Sequence, residues 1–99
     1  MRIYEFQARV RLLPTADGGR AKPIGSRFGG VIHFKGNRWN YGVHVDVDGV
    51  IRPGSEGVAR FAVWVGAPET SAQPGGEFEI REGPHPIGVG TILEILQKR

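Results

Sequence analysis

Residues 3–13 read Ile3-Tyr4-Glu5-Phe6-Gln7-Ala8-Arg9-Val10-Arg11-Leu12-Leu13, and their alternation decides the fold class. Tyr4, Phe6, Ala8, Val10 and Leu12 fall on one face, and Glu5, Gln7, Arg9 and Arg11 on the other. In a β-strand successive side chains point to opposite faces, so this pattern is a strand with one buried side. The same period recurs outward along the chain. In Tyr41–Ile51, Val43, Val45 and Val47 alternate with His44, Asp46 and Asp48. In Val58–Val65, Ala59, Phe61, Val63 and Val65 alternate with Arg60, Ala62 and Trp64, and Glu77–Arg81 alternates about Phe78 and Ile80. Val31–Lys35 is a short strand after the flexible pair Gly29-Gly30, and Ile87–Leu96 is the last. That last segment could take a helical turn or two, but its β-branched residues and the glycines at 88 and 90 favour strand.

Sixteen glycines and seven prolines separate these segments, with turns expected at Asp17-Gly18-Gly19 and Arg52-Pro53-Gly54-Ser55. Six strands in 99 residues form one all-β domain over residues 1–99, with no internal repeat. A six-stranded antiparallel β-barrel suits them, because closure removes the exposed strand edges of an open sheet. A chain of this length buries roughly two-thirds of its unfolded surface and folds without covalent staples. None are available, since there is no cysteine, and thiolate metal sites are excluded with disulfides. The N-terminal MRIYEFQARV alternates and carries charge, unlike a signal peptide, and no apolar run approaches a membrane-spanning length. A soluble cytoplasmic protein is the expectation.

The net charge of +3 conceals an asymmetry: residues 1–40 carry +6 and residues 41–99 carry −3. Clustered Lys and Arg neutralise phosphates and are the main source of nucleic-acid affinity. The competing outcome is that folding mixes the two halves into a balanced, solvated surface.

Three further motifs carry a resemblance. Gly18-Gly19-Arg20-Ala21-Lys22-Pro23 lies between two strands, Pro53-Gly54 forms a turn, and Phe78-Glu79-Ile80-Arg81-Glu82-Gly83 precedes Ile87-Gly88-Val89-Gly90. In order and spacing they resemble the third, C-terminal barrel domain of elongation factor Tu, over residues 6–96. The resemblance implies a six-stranded antiparallel barrel of that type, with no catalytic function and no cofactor. It implies that Arg20, Arg81, Glu82 and Gly83 match loop positions that approach the backbone of tRNA, with Lys22 and Arg27 extending the positive surface. Arginine forks and exposed peptide N–H groups suit such phosphate and ribose contacts. The glycine pair at 18 and 19 supplies positive-φ residues for a tight reversal. Glycines 88 and 90 share a face of the last strand, where a neighbour can approach closely. The chain departs from the family at three places: Phe28-Gly29-Gly30-Val31 replaces a Tyr-Arg-Pro-Gln run, Pro84-His85-Pro86 replaces Gly-Arg-Thr, and Gly36–Gly42 is shortened. No phosphate-binding G-x-x-x-x-G-K-[ST] loop occurs, so GTP hydrolysis and tight nucleotide binding are not expected.

Other constellations compete for attention. His44, Asp46 and Asp48 share one strand face, but same-face neighbours stand roughly 7 Å apart, too far to converge on one ion. A solvated outer face is expected there, and no metal. His33 reads as a surface or rim residue, and His85 as a loop residue between two prolines. No serine is placed for nucleophilic catalysis. Arg38, Trp39 and Tyr41 form an arginine–aromatic group that could stack on bases or anchor a protein partner, with burial of the rings as the alternative. Two functions follow: a translation-related module binding tRNA or another structured RNA, or a barrel whose surface serves a protein partner or self-association.

Overall fold

The computed structural model describes residues 3–36, 40–64 and 73–98. Six strands run in chain order: β1 (Ile3–Leu12), β2 (Phe28–Phe34), β3 (Asn40–Val47), β4 (Glu56–Trp64), β5 (Glu77–Glu82) and β6 (His85–Lys98). All pairings are antiparallel, and the order β1-β4-β3-β2-β5-β6 closes on itself as a barrel. The all-β barrel expected from the alternation is thus the observed fold. Among the described residues no helix is long and apolar enough to cross a membrane.

The inward faces are those read from the sequence. Phe6, Ala8, Val10 and Leu12 on β1, Val43, Val45 and Val47 on β3, and Ala59, Phe61 and Val63 on β4 are all buried. Val65 lies outside the described residues. Phe6, Phe34, Phe61 and Phe78 meet at the centre: Phe6 stacks on Phe61 at 5.2 Å, and the edge of Phe78 meets Phe61 at 5.0 Å. Each such ring contributes about 1.5–3 kcal/mol through its removal from water. No described polar or charged residue is buried among them.

Strand limits differ from the sequence reading where tertiary contacts intervene. β2 begins at Phe28, so Gly29 and Gly30 lie within a strand and are not a flexible linker. The Phe28 ring folds back along the strand and occupies the place of a Cβ at Gly30, only 2.8 Å away. β3 ends at Val47; Ile51 stays buried through one isolated bridge to Ile24. His85 and Pro86 belong to β6, not to a loop, and the β5–β6 turn is Gly83-Pro84. Pro86 is tolerated because the register shifts there: Ile80 pairs with Gly88 and Arg81 with Pro86, leaving Ile87 as the extra, inward residue of a bulge.

The segment between β1 and β2 closes one mouth of the barrel. Ile24 and Ile51 exchange backbone hydrogen bonds of 2.9 Å, and Leu12, Ile24, Ile51 and Ile87 are all buried at this end. Here the strand ends at Leu12, Phe28, Val47, Glu56, Glu82 and His85 come together. We call this the loop end.

Candidate nucleic-acid interface

The loop end is organised around Arg20. One 3-10 turn, Thr15–Asp17, stops at Gly18, whose φ of 89° needs a glycine. Gly19 does not share that geometry, contrary to the expectation of a positive-φ pair. It is bare because a Cβ there would stand 2.3 Å from the Leu13 carbonyl oxygen. The tight loop then holds its own exit, with the Thr15 hydroxyl donating to the Arg20 carbonyl at 2.8 Å.

Three contacts fix the Arg20 side chain. Its guanidinium lies over the Phe28 ring, 4.8 Å from the centroid, a cation–π arrangement. Nε donates to the Lys22 carbonyl at 2.7 Å, and Nη1 stands 3.0 Å from Glu82 Oε2. Nη1 is closed off from solvent and lies outside hydrogen-bonding geometry, so the contact with Glu82 is an ion pair with an unmatched N–H. The side chain is 18% exposed against 44% for Glu82, which leaves the carboxylate facing water and the cation largely covered.

Arg81 follows a different course. It lies beside Glu82 in β5, but its Nε is held by the Glu79 carboxylate two residues back along the same strand face. With His33, Glu79 and Val89 it lines a shallow depression of about 510 Å³ on the β2–β5–β6 face. Gly83 opens the hairpin turn with φ 58°. Lys22 and Arg27 are exposed and hold no ion pair among the described residues; Arg27 itself has a positive φ of 65°. Arg20, Lys22, Arg27, Glu82 and Gly83 therefore gather at the loop end, while the Arg81 side chain turns toward the barrel flank.

The charge asymmetry of the two halves is largely folded away. Arg20 meets Glu82, Lys35 meets Glu77 at 3.1 Å, and Arg11 stands opposite Glu56 across the β1–β4 ladder. Basic residues of the first half thus face carboxylates of the second. Two contributors were not legible beforehand. Phe28 was read only as part of a lost polar run, yet it is the platform for Arg20; a lone aromatic before two glycines in a strand was the available signal. Arg52, exposed beside the Ile24–Ile51 bridge, adds a cation to the same end.

The remaining candidates lie elsewhere. Tyr41 is half-buried, with its ring 5.8 Å from Phe34. It packs on the core near the barrel end opposite the loop end. Arg38 and Trp39 lie outside the described residues. His44 and Asp46 project from β3, with Asp46 paired in register to Arg60. Asp48 lies just past the strand. Among the described residues no three His, Cys, Asp or Glu side chains stand together as metal ligands. His33 Nδ1 is 2.8 Å from Asn40 Oδ1, between neighbouring strands.

No family model matches the chain. Over 90 residues, 91% of its length, it is 30% identical to elongation factor Tu 2 of Streptomyces avermitilis. The chain is similar to elongation factor Tu. It spans 22% of that relative's length, within the C-terminal region. A closed six-stranded antiparallel barrel together with this similarity fits a translation-factor-like domain of the elongation factor Tu C-terminal type.

Proposed function

We propose that this chain is a non-enzymatic, cytoplasmic binding module that holds structured RNA, tRNA in the first instance, against the loop end of its barrel. The observation that carries the reading is the state of the cations there. Lys22 and Arg27 are exposed and without ion-pair partners among the described residues, beside an Arg20 already oriented by Phe28 and Glu82. Pre-oriented and free cations together suit a phosphate backbone, which demands charge and position but no base reading. Glu82 and the turn at Gly83 border this surface, and Arg81 flanks it through Glu79. The similarity to elongation factor Tu supports the same class of ligand.

With Arg20 and Arg81 both compensated by carboxylates, the affinity expected is weak, about 10⁻⁴–10⁻⁶ M, in the range of contacts made to backbone alone. The test is titration of labelled tRNA at two salt concentrations. Wild type binds at low salt, and Lys22→Ala/Arg27→Ala lowers the slope of log K against log salt by about 2, one for each lost phosphate contact. Arg20→Ala/Arg81→Ala weakens binding further. Absence of binding by wild type at low salt, or equal binding by both double variants, removes the RNA reading.

A second reading, a protein-interaction barrel, is favoured by a separate observation. Val89, Leu93 and Leu96 are exposed on β6, while much of the positive surface is neutralised internally.

A further inference from the structure

The depression on the β2–β5–β6 face gathers polar groups that the loop end does not use. In register across the three strands, His33 stands level with Glu79 and Val89, and Glu77 with Thr91. Lys35 reaches Glu77 from β2, and Arg81 lines the end nearest the β5–β6 turn. Between these rows lie Phe78, whose ring points into the core, and Gly90, so the floor carries no outward side chain. The volume of about 510 Å³ falls within the range of small-molecule sites, about 300–1,000 Å³.

Its charges cancel, since Lys35 pairs with Glu77 and Arg81 with Glu79. The second pair uses only part of its hydrogen-bonding capacity. Arg81 spends Nε on Glu79. Among the described residues its two terminal nitrogens have no hydrogen-bond partner, and neither is closed off from solvent. The second carboxylate oxygen of Glu79 is in the same state. His33 donates its Nδ1–H to Asn40 Oδ1 at 2.8 Å, which leaves Nε2 as an acceptor. Arg81 and Glu79 are each about one-third exposed, so they lie against the wall of the depression.

We propose that this depression binds an aliphatic α-amino acid as its zwitterion, with the carboxylate on the terminal nitrogens of Arg81 and the ammonium on Glu79 and His33 Nε2. The planar end of an arginine matches a carboxylate through two parallel hydrogen bonds. Arg81 and Glu79 are already in contact, so their opposite charges lie as close together as the two charges of an α-amino acid. The neutral balance of the lining decides the ligand class. An anion attracted by Arg81 is repelled by Glu77 and Glu79, and a cation attracted by those carboxylates is repelled by Arg81 and Lys35. A ligand carrying both charges gains from both signs at once. A phosphate backbone, which needs an excess of cations, does not suit this face. Val89, half-exposed in the same depression, supplies apolar contact for the side chain of the ligand. The proposal does not rest on the RNA reading.

The experiment follows the backbone amide signals of the full chain by NMR as L-leucine is added to about 20 mM, well above the Kd of about 1 mM expected for so small a ligand in a shallow site. Leucine shifts the amides of Phe78, Glu79, Arg81 and Gly90 and leaves those of the loop end in place. Isocaproate and isoamylamine, which keep the aliphatic chain but carry only one of the two charges, bind at least tenfold more weakly. Glycine also binds more weakly, for want of the contact with Val89. Arg81→Gln and Glu79→Gln each weaken leucine binding at least tenfold, whereas Arg60→Gln, on β4 away from the depression, leaves it unchanged. The amide spectrum itself shows whether each variant is folded. No shifts with leucine, shifts confined to the loop end, single-charge analogues that bind as tightly as leucine, or binding indifferent to both Arg81→Gln and Glu79→Gln overturns the proposal.

Discussion

Gly90 gives the sharpest test of how this core is packed. It lies in β6 directly opposite Phe78 of β5, and the aromatic ring occupies the space that a side chain on Gly90 would need. A Cβ added there would fall 2.2, 2.6 and 2.8 Å from three carbons of the ring. Carbon atoms in contact prefer about 3.5–4.0 Å, so the ring must retreat by about 1.3 Å. It has nowhere to go. Phe61 stands 5.0 Å behind it, Phe6 5.5 Å and Phe34 6.0 Å, all already at aromatic contact distance. Overpacking of this kind costs about 1–3 kcal/mol. The Gly90→Ala change also stiffens the unfolded chain, which returns about 0.4–1 kcal/mol. The net expectation is a loss of about 1–2 kcal/mol, or a fall in Tm of about 4–16 °C for a domain of this size.

Urea denaturation of four proteins resolves it: wild type, Gly90→Ala, Phe78→Leu and the double variant. Leucine at 78 leaves the space that the new methyl group fills, so the second change costs less in that background, with a coupling of at least about 1 kcal/mol. Gly42→Ala serves as the control. Nothing lies within 4 Å of a Cβ at Gly42, and its φ is not in the left-handed range. That variant is neutral or more stable by up to about 1 kcal/mol. If Gly90→Ala comes within about 0.5 kcal/mol of wild type, or costs the same with leucine at 78, the packing argument fails.

Three other expectations follow from the structure. Gly83→Ala places a side chain at φ 58° in the β5–β6 turn and destabilises by about 1–2 kcal/mol, measured by thermal or urea unfolding. Lys35→Ala changes stability by less than about 0.5 kcal/mol, because the ion pair with Glu77 joins side chains 79% and 58% exposed to water. Calorimetry with GTP or GDP detects no micromolar site, since the sequence has no phosphate-cradling loop; a stoichiometric site would contradict this.

The strands were legible in the sequence because burial on one side of a strand is written locally. Residues two apart share a face, so Phe6, Ala8, Val10 and Leu12 declare a buried side without reference to anything distant. The turn Arg52–Ser55, closed by the Ser55 N–H on the Arg52 carbonyl, was legible for the same reason, since turn chemistry is carried by neighbours. Glycines 88 and 90 were rightly read as points of close approach, but not what approaches. Only the fold brings the Arg11 carbonyl against Gly88 and the Phe78 ring against Gly90.

The tertiary structure alone decided what depends on residues far apart in the chain. Arg20 and Glu82 are 62 positions apart, and Lys35 and Glu77 are 42, so the basic half and the acidic half compensate each other only after the barrel closes. The outward turn of Leu93 and Leu96 was equally hidden. A strict alternation places residues three apart on opposite faces, and it is the slip of β6 against β1 that sends both leucines to the surface. Local pattern determines which segments are strands, because it needs only the geometry of one strand. Register, bulges and charge pairing belong to two strands at once, and closure of the barrel selects among them.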